Sequence, residues 1–227
     1  MQTVTDLIER RTATDVVFEH LHEEIVSLRL LPGDKLSEVD VAKRFGVSRQ
    51  PVRNAFNRLE NLDLLQIRPQ KATEVRGFSM QRIALARFVR KSIELEVIRE
   101  ACKVWDDDKA KHLDRNLKKQ RQAVANGDQE AFHMLDYQFH KLICELSGYA
   151  MAFDTIQSCK QKVDRLCVLS LGKENETATV LNDHEELAAA LKERSATDAS
   201  RIIRRHLNRL DATIEDIHRT HSEYFEG

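Results

Sequence analysis

Hydrophobic residues at helical spacing occupy three short segments near the start of the chain. The first segment starts near Thr14 and stops at Pro32-Gly33, and its apolar positions are Val17, Phe18, Leu21, Ile25 and Leu28. A second helix is predicted from Ser37, a residue type that caps helix starts. The third is predicted from Ser48 to about Asn61, with inward-facing Val52, Ala55, Phe56 and Leu59. Three short helices in succession predict a small helical domain.

The stretch from Gly46 to Arg53 predicts a tight turn followed by a helix start. Gly46 can take the backbone angles of a turn, and the hydroxyl of Ser48 can cap the helix that follows. The first helical turn then carries Arg49, Gln50 and Arg53. Arginine and glutamine suit bidentate bonding to guanine and adenine edges, and a recognition helix presents its N-terminal residues in this way. The pattern favours sequence-specific DNA binding.

After the third helix the period of the apolar positions changes. Two short apolar runs, 64–67 and 72–75, flank the basic segment 68–71. This pattern predicts a two-stranded wing with Lys71 near its tip, and together with the helices it predicts a winged helix-turn-helix over residues 1–76. Residues 76–79 are predicted to form a short linker.

The remaining chain, 77–227, has no strand signal, contains no proline and is predicted to fold as an all-α antiparallel bundle. Six long amphipathic helices are expected, and Gly and capping residues mark their ends. Their predicted ranges are 79–105, 108–125, 128–147, 149–171, 177–194 and 196–221. The predicted fold is therefore mainly α, with two domains divided near residue 76.

Composition narrows the classes of protein that fit this pattern. The formal net charge of the 227 residues is -1, yet basic residues outnumber acidic ones between Lys43 and Lys71, as expected for a confined DNA footprint. The four cysteines show no CxxC spacing and are expected to be buried free thiols. No apolar run approaches the ~18 residues of a membrane span, so we expect a cytoplasmic protein.

A carboxylate and three histidines in the predicted bundle have spacings that suit a metal. Asp136 and His140 are four apart, so they share one helix face. His184 and His206 are each 11 residues from Ser195, where two antiparallel helices are predicted to meet. One Asp and three His suit Zn²⁺, Ni²⁺ or Mn²⁺. The alternative is that Asp136 and His140 form an ordinary surface pair.

Arg90 has two interpretations. It can be a surface arginine paired with Glu94 one turn further on, or a guanidinium that binds an effector carboxylate bidentately. The Asp/His set might instead hold a catalytic metal, but the chain shows no phosphate loop and no nucleophile elbow. A DNA-reading module also has no use in a small hydrolase, so we expect a regulator and not an enzyme.

The first 76 residues resemble the winged helix-turn-helix of the GntR family of bacterial transcription regulators. The resemblance rests on the segments 31–38, 41–42, 46–53, 58–60 and 67–71. Asp63 and Gln50 stand where the family usually has Gly and Thr. The resemblance implies a homodimer that reads a near-palindromic operator in double-stranded DNA, with Ser48, Arg49, Gln50, Arg53 and Lys71 at the interface.

The rest of the chain is similar to the FadR-like branch of that family, through segments 93–94, 136–140, 183–184 and 206–207 together with Arg90. This resemblance implies that Asp136, His140, His184 and His206 bind a divalent transition metal. It also implies that Arg90 helps bind a small organic acid or sugar acid. We therefore expect a transcription regulator, and more specifically a repressor, that is controlled by such a metabolite. The alternative is a metal-sensing regulator in which the ion itself is the signal.

Overall fold

The structure is a computed structural model that describes residues 11–68, 71–168 and 176–226. Its described residues divide into two compact units. The first unit contains the residues up to Met80 and also those from His218 onward, whereas the second unit is Gln81–Ile217. The last residues of the chain are thus grouped with its beginning.

Three helices form the body of the first unit: α1 (Ala13–Val26), α2 (Glu38–Phe45) and α3 (Arg49–Asn61). A capping box between Thr12 and Asp15 starts α1, and the hydroxyl of Ser37 caps α2. Gly46 ends α2 with φ 65°, a left-handed conformation that favours glycine. The core of this unit is where the pattern predicts it, because Val17, Leu21, Ile25, Val52, Ala55, Phe56 and Leu59 are all buried.

The wing is part of a three-stranded antiparallel sheet and not a two-stranded one. Strands β1 (Lys35–Leu36), β2 (Leu65–Gln66) and β3 (Thr73–Val75) pair in the order β1-β3-β2. The added strand β1 has only two residues, too few to show a period of two. The tip residues Pro69 and Gln70 lie outside the described residues.

The predicted linker 76–79 is joined to the C-terminal segment. The Phe78 amide donates to the Tyr224 carbonyl at 2.8 Å, and the Glu226 amide donates to the Phe78 carbonyl at 2.7 Å. The rings of Phe78 and Phe225 also lie 5.4 Å apart. We call residues 222–226 the C-terminal strap. A Cβ at Gly77 would lie 2.9 Å from the Tyr224 carbonyl oxygen, so this approach requires glycine.

The second unit is built from helices alone in the part of the chain that is described. They are α4 (Met80–Val104), α5 (Asp107–Ala125), α6 (Gln129–Leu146), α7 (Ala152–Cys167), α8 (Glu176–Lys192), α9 (Ala196–Asn208) and α10 (Leu210–Thr220). The last predicted helix is therefore two helices, because the chain tightens at Arg209, whose amide bonds the His206 carbonyl three residues back.

The core of the second unit draws side chains from all of its first six helices, with Trp105, Phe139 and Ile156 among the most buried. Cys102 and Cys144 are buried free thiols as expected, and Cys159 is half-buried. The side chain of Cys167 lies outside the described part. Among the described residues, none of the helices is both long and apolar enough to cross a membrane.

Candidate functional site

The N-terminus of α3 presents the side chains predicted to contact DNA. Arg49 and Arg53 are 60% and 51% exposed, and Gln50 bonds Asn54 on the same helix at 3.1 Å. Ser48 is the N-cap residue, but its hydroxyl makes no capping bond, contrary to expectation. Lys71, which follows the two residues 69 and 70 that are not described, is exposed. All of these residues belong to the first unit.

Carboxylates outside the basic segment 43–71 neutralise several of its arginines. Glu38 of α2 accepts a hydrogen bond from Arg49 at 3.1 Å and two from Arg53 at 3.1 and 3.0 Å. Further pairs join Arg44 to Glu24, Arg58 to Asp15 and Arg68 to Glu74. The positive surplus that is visible in the sequence is therefore smaller in the folded unit.

In the second unit, Asp136, His140, His184 and His206 come together in one buried cluster. Each offers a potential ligand atom, and these atoms lie within 4.8 Å of one another. The imidazole rings are 5.5 Å apart for His140–His184, 5.2 Å for His140–His206 and 4.9 Å for His184–His206. Asp136 and His140 are therefore not a surface pair, and the equal spacing of His184 and His206 from Ser195 does bring their rings together.

Three imidazole nitrogens in this cluster are buried and unsatisfied. His140 Nε2, His184 Nε2 and His206 Nδ1 have no hydrogen-bond partner among the described residues. The first two face Asp136 Oδ1, at 3.6 and 3.4 Å. A buried polar atom without a partner is costly. Ligands bound at about 2.1 Å to one ion lie about 3 to 4 Å apart, so a small contraction would let all four residues hold a divalent cation.

The outer nitrogen of His140 bonds a carboxylate that an arginine holds in place. Glu94 Oε2 lies 2.7 Å from His140 Nδ1, and Arg90 Nε donates to Glu94 Oε1 at 2.5 Å. Burial disfavours the charged forms of both His140 and Glu94. The Glu94 and Asp136 carboxylates outweigh it and raise the pKa of His140 to about 9, while Arg90 and His140 hold the pKa of Glu94 well below its usual range.

The other two histidines have different outer partners. His184 Nδ1 lies 2.9 Å from the amide oxygen of Gln120, and burial together with His206 holds the pKa of His184 well below its usual range. His206 Nδ1 lies 3.7 Å from the Asp183 carboxylate, which is also bound by Arg205 and Arg209. Burial lowers the pKa of His206 despite that carboxylate. Outer partners of this kind orient metal-binding histidines.

A buried lysine neutralises the carboxylate of the cluster. Lys160 Nζ lies 3.3 Å from Asp136 Oδ2 and donates to Asp164 Oδ1 at 3.0 Å. It also stands 4.2 Å from the centre of the Tyr137 ring, whose hydroxyl donates to Asp164. Burial opposes the charge of Lys160, but Asp136 and Asp164 raise the pKa of its ammonium. When no metal ion is bound, the charge of this ammonium balances that of Asp136.

Arg90 connects the cluster to a cleft of about 200 Å³. The cleft lies within the second unit and is lined by α4, α7, α9 and α10, with Phe88, Lys91, Val163, Leu207 and Asn208 among its residues. Arg90 is 9% exposed, so it is not a surface arginine, although its predicted pairing with Glu94 is present. Its Nε is used by Glu94, which leaves the other guanidinium N–H groups for further acceptors.

Sequence reasoning missed the groups that surround the four predicted ligands. Gln120 and Lys160 carry no local signal, because they lie on other helices and reach the cluster only through tertiary packing. Glu94 and Asp183 stand in the segments that resemble the FadR-like branch, which was the one available signal. A Glu94–His140 pair also exists, and no local spacing indicates it, because the two residues lie on different helices.

The winged helix-turn-helix and the helical unit with its polar cluster define a DNA-binding transcription regulator. Residues 13–75 match the model of the bacterial regulatory proteins of the gntR family, and residues 86–209 match that of the FCD domain. The chain belongs to the GntR family of bacterial transcription regulators, and its second unit is an FCD domain, the FadR C-terminal type.

Sequence relatives agree with this assignment, and a solved structure has a similar fold. The chain is 32% identical over 225 residues to the HTH-type transcriptional repressor RspR of Escherichia coli (strain K12), covering 99% of both chains. It is 24% identical to the gluconate operon transcriptional repressor of Bacillus subtilis (strain 168), over 93% of this chain and 88% of that one. The fold is similar to E. coli McbR/YncC, with TM-score 0.70, 21% identity and coverage of 91% and 98%. The two sequence relatives are named as transcriptional repressors, as expected for a regulator.

Proposed function

We propose that this regulator is a homodimeric repressor whose operator binding is controlled by a small carboxylate metabolite bound beside a metal in the second unit. One observation carries the proposal: a carboxylate and three histidines converge in a buried cluster, and three of its imidazole nitrogens lack hydrogen-bond partners among the described residues. The donor set suits Zn²⁺, Ni²⁺ or Mn²⁺. When bound, such an ion supplies a Lewis-acidic position for a carboxylate oxygen.

The side chains around the cluster and the cleft favour a small acid as the effector. Arg90 lines the cleft and is joined to His140 through Glu94. A guanidinium in this place can bind a carboxylate that enters the cleft. The volume of about 200 Å³ is below the roughly 300–1,000 Å³ of pockets for drug-sized ligands. A small organic acid or sugar acid fits these limits.

In the first unit, the operator would be contacted by Ser48, Arg49, Gln50, Arg53 and Lys71. Two copies of α3 in a dimer would enter successive major grooves of a near-palindromic site. The relatives named as repressors support the direction of control. For the effector to release DNA, it must bind more tightly to the state of the dimer that matches the operator less well.

The metal assignment is tested by comparing His184→Ala with His112→Ala, a change at an exposed histidine of α5. Loss of an outer partner of a metal ligand costs about 10–100-fold in affinity, so we expect at least that loss for His184→Ala and none for His112→Ala. Elemental analysis and competition titration with zinc measure it. Equal zinc binding by wild type and both variants would show that His184 is only packed.

The alternative, in which the ion itself is the signal, predicts a different response to chelation. A screen of organic acids and sugar acids by thermal shift on metal-loaded protein should find ligands that raise the melting temperature, and these should change operator affinity. If removal and return of the metal switch operator binding without any organic acid, the metal-sensing function is correct and the metabolite function is not.

A further inference from the structure

A chain of buried amides links the backbone of α6 to the imidazole of His184. Asn116 Nδ2 donates to the carbonyl oxygen of Leu135 at 3.1 Å, and Gln120 Nε2 donates to Asn116 Oδ1 at 2.7 Å. Gln120 Oε1 then lies 2.9 Å from His184 Nδ1. Asn116 is 5% exposed, and Gln120 and His184 are fully buried, so solvent offers these groups little competition.

The direction of every hydrogen bond in this series of amides follows from the first acceptor, the Leu135 carbonyl. A backbone carbonyl can only accept, so Asn116 must turn its NH₂ group towards Leu135. The Asn116 oxygen then faces Gln120 and accepts from its NH₂ group, which leaves the Gln120 oxygen facing His184. Turning either amide around would place two acceptors or two donors against each other.

An amide oxygen cannot donate, so the proton at this contact must come from His184 Nδ1. We infer that Asn116 and Gln120 are positioning residues that hold His184 in the Nδ1–H tautomer, with the lone pair of Nε2 directed into the Asp136 cluster. In agreement with an unprotonated Nε2, this nitrogen makes no hydrogen bond within the described residues, although Asp136 Oδ1 lies 3.4 Å away.

This arrangement separates His184 from the other two histidines. The outer nitrogens of His140 and His206 face carboxylates, whereas His184 meets a carboxylate only at its inner nitrogen, towards Asp136. The outer nitrogen of His184 faces the neutral acceptor Gln120, and this contact fixes Nδ1 as a protonated nitrogen. A neutral imidazole with a free Nε2 is the form that binds a metal. His184 is thus held in a metal-ready form before any ion arrives. The functional meaning rests on the proposed metal site, but the tautomer does not.

The tautomer is measured directly on the wild-type chain. Two-bond ¹H–¹⁵N spectra of full-length protein with ¹⁵N-labelled histidine, treated with a chelator, distinguish Nδ1–H from Nε2–H rings. His184→Ala assigns the signals by their loss. We expect His184 in the Nδ1–H form, whereas an Nε2–H ring or an averaged mixture in the wild type would overturn the inference.

The positioning role is tested with Gln120→Leu, Gln120→Glu and a matched control, Gln122→Leu, at an exposed site on the same helix. Gln120→Leu removes the acceptor and should weaken zinc binding about 10–100-fold. Gln120→Glu loses the donor to Asn116 Oδ1 but keeps an acceptor for His184 Nδ1, so it should retain the Nδ1–H tautomer and bind zinc, as should the Gln122 variant.

Wild-type zinc affinity in a folded Gln120→Leu protein would overturn the positioning role. If that variant does not fold, the spectra of the wild type and of Gln120→Glu still test the inference. Absence of the Nδ1–H form of His184 in either protein would contradict it. If the wild type itself binds no metal, the proposed function fails, and the tautomer spectrum still tests the amide chain.

Discussion

Arg53 donates two hydrogen bonds to Glu38, from Nε at 3.1 Å and from Nη2 at 3.0 Å. Glu38 is the first residue of α2, so this pair spans the turn between the two helices of the helix-turn-helix. Arg49 donates to the same carboxylate. The arginines proposed to read bases are therefore held by one acidic side chain, and base edges must replace that acceptor when DNA binds.

We predict that Arg49→Ala and Arg53→Ala each weaken specific operator binding by about 1–3 kcal/mol, the amount expected for loss of a bidentate base contact. The measurement is fluorescence anisotropy with an operator selected from random duplexes. Arg201→Ala serves as control, because Arg201 is 61% exposed, pairs with Asp198 and lies in the second unit. Unchanged affinity in both test variants would remove these arginines from the interface.

Replacing Lys160 by Met should have opposite effects on stability and on metal binding. The ammonium balances Asp136 in the metal-free protein, so its loss leaves a buried carboxylate uncompensated and should lower the melting temperature. The same ammonium repels a divalent cation held by Asp136, so zinc affinity should rise on the order of tenfold or more. Zinc competition titration and thermal melts with and without zinc measure both effects.

Lys162→Met provides the matched control, since Lys162 lies on an exposed part of the same helix. It should change neither quantity appreciably. A Lys160→Met protein that bound zinc more weakly than wild type would mean that Lys160 supports the site by packing and not by balancing charge.

Gly77→Val should break the contact between the C-terminal strap and residues 77–78. The added side chain would meet the backbone oxygen of Tyr224, where a Cβ alone would already lie at 2.9 Å. The amides of Phe78 and Glu226, which form the paired hydrogen bonds, should then exchange with solvent faster. Hydrogen–deuterium exchange with peptide readout measures the change.

Phe225→Ala gives a second route to the same result, because it removes the ring that packs 5.4 Å from Phe78. Both variants should accelerate exchange in the strap while protection of the α5–α6 peptides stays as in wild type. Unaltered exchange of Phe78 and Glu226 in both would show that these hydrogen bonds do not depend on the contact.

Asp15→Asn should destabilise the first unit in a pH-dependent way. The hydroxyl of Thr12 and the guanidinium of Arg58 lower the pKa of Asp15 to about 2 from an ordinary value of 3.8. A depressed carboxyl pKa contributes stability that is present above the ordinary value and is lost as the pH falls towards 2. The melting-temperature difference between wild type and variant should therefore be full at pH 5 and shrink below pH 4.

Glu19→Gln removes a carboxylate from an exposed position of the same helix and provides the control. A difference for Asp15→Asn that stayed constant from pH 5 to pH 2.5 would mean that the charge of Asp15 does not stabilise the capping box.

Local sequence pattern was enough to predict two pairs within the cluster, and the resemblance to the FadR-like branch joined them into one predicted metal site. Asp136 and His140 are one helical turn apart, and antiparallel helices joined at Ser195 place His184 and His206 at similar depth. Each of these relations lies within a helix or a hairpin, so it follows from spacing alone. The core positions of α1 and α3 followed from their apolar spacing for the same reason.

The groups that complete the cluster depend on the register between helices that are not neighbours in sequence. Gln120 reaches His184 from α5, and Lys160 reaches Asp136 from α7. That register is set by packing of the whole core and leaves no periodic trace in the sequence. Strand β1 and the strap were missed for a related reason, since each is a very short segment whose partner is distant in the chain.

The strap gives the chain an unusual connectivity. The chain leaves the first unit after Met80 and returns to it from His218 onward, so the FCD unit is topologically an insertion, tethered covalently at both ends. A fragment that stops before the strap therefore lacks the segment whose backbone bonds to Phe78. A fusion placed directly after Glu226 would likewise be attached to the DNA-binding unit and not to the FCD unit.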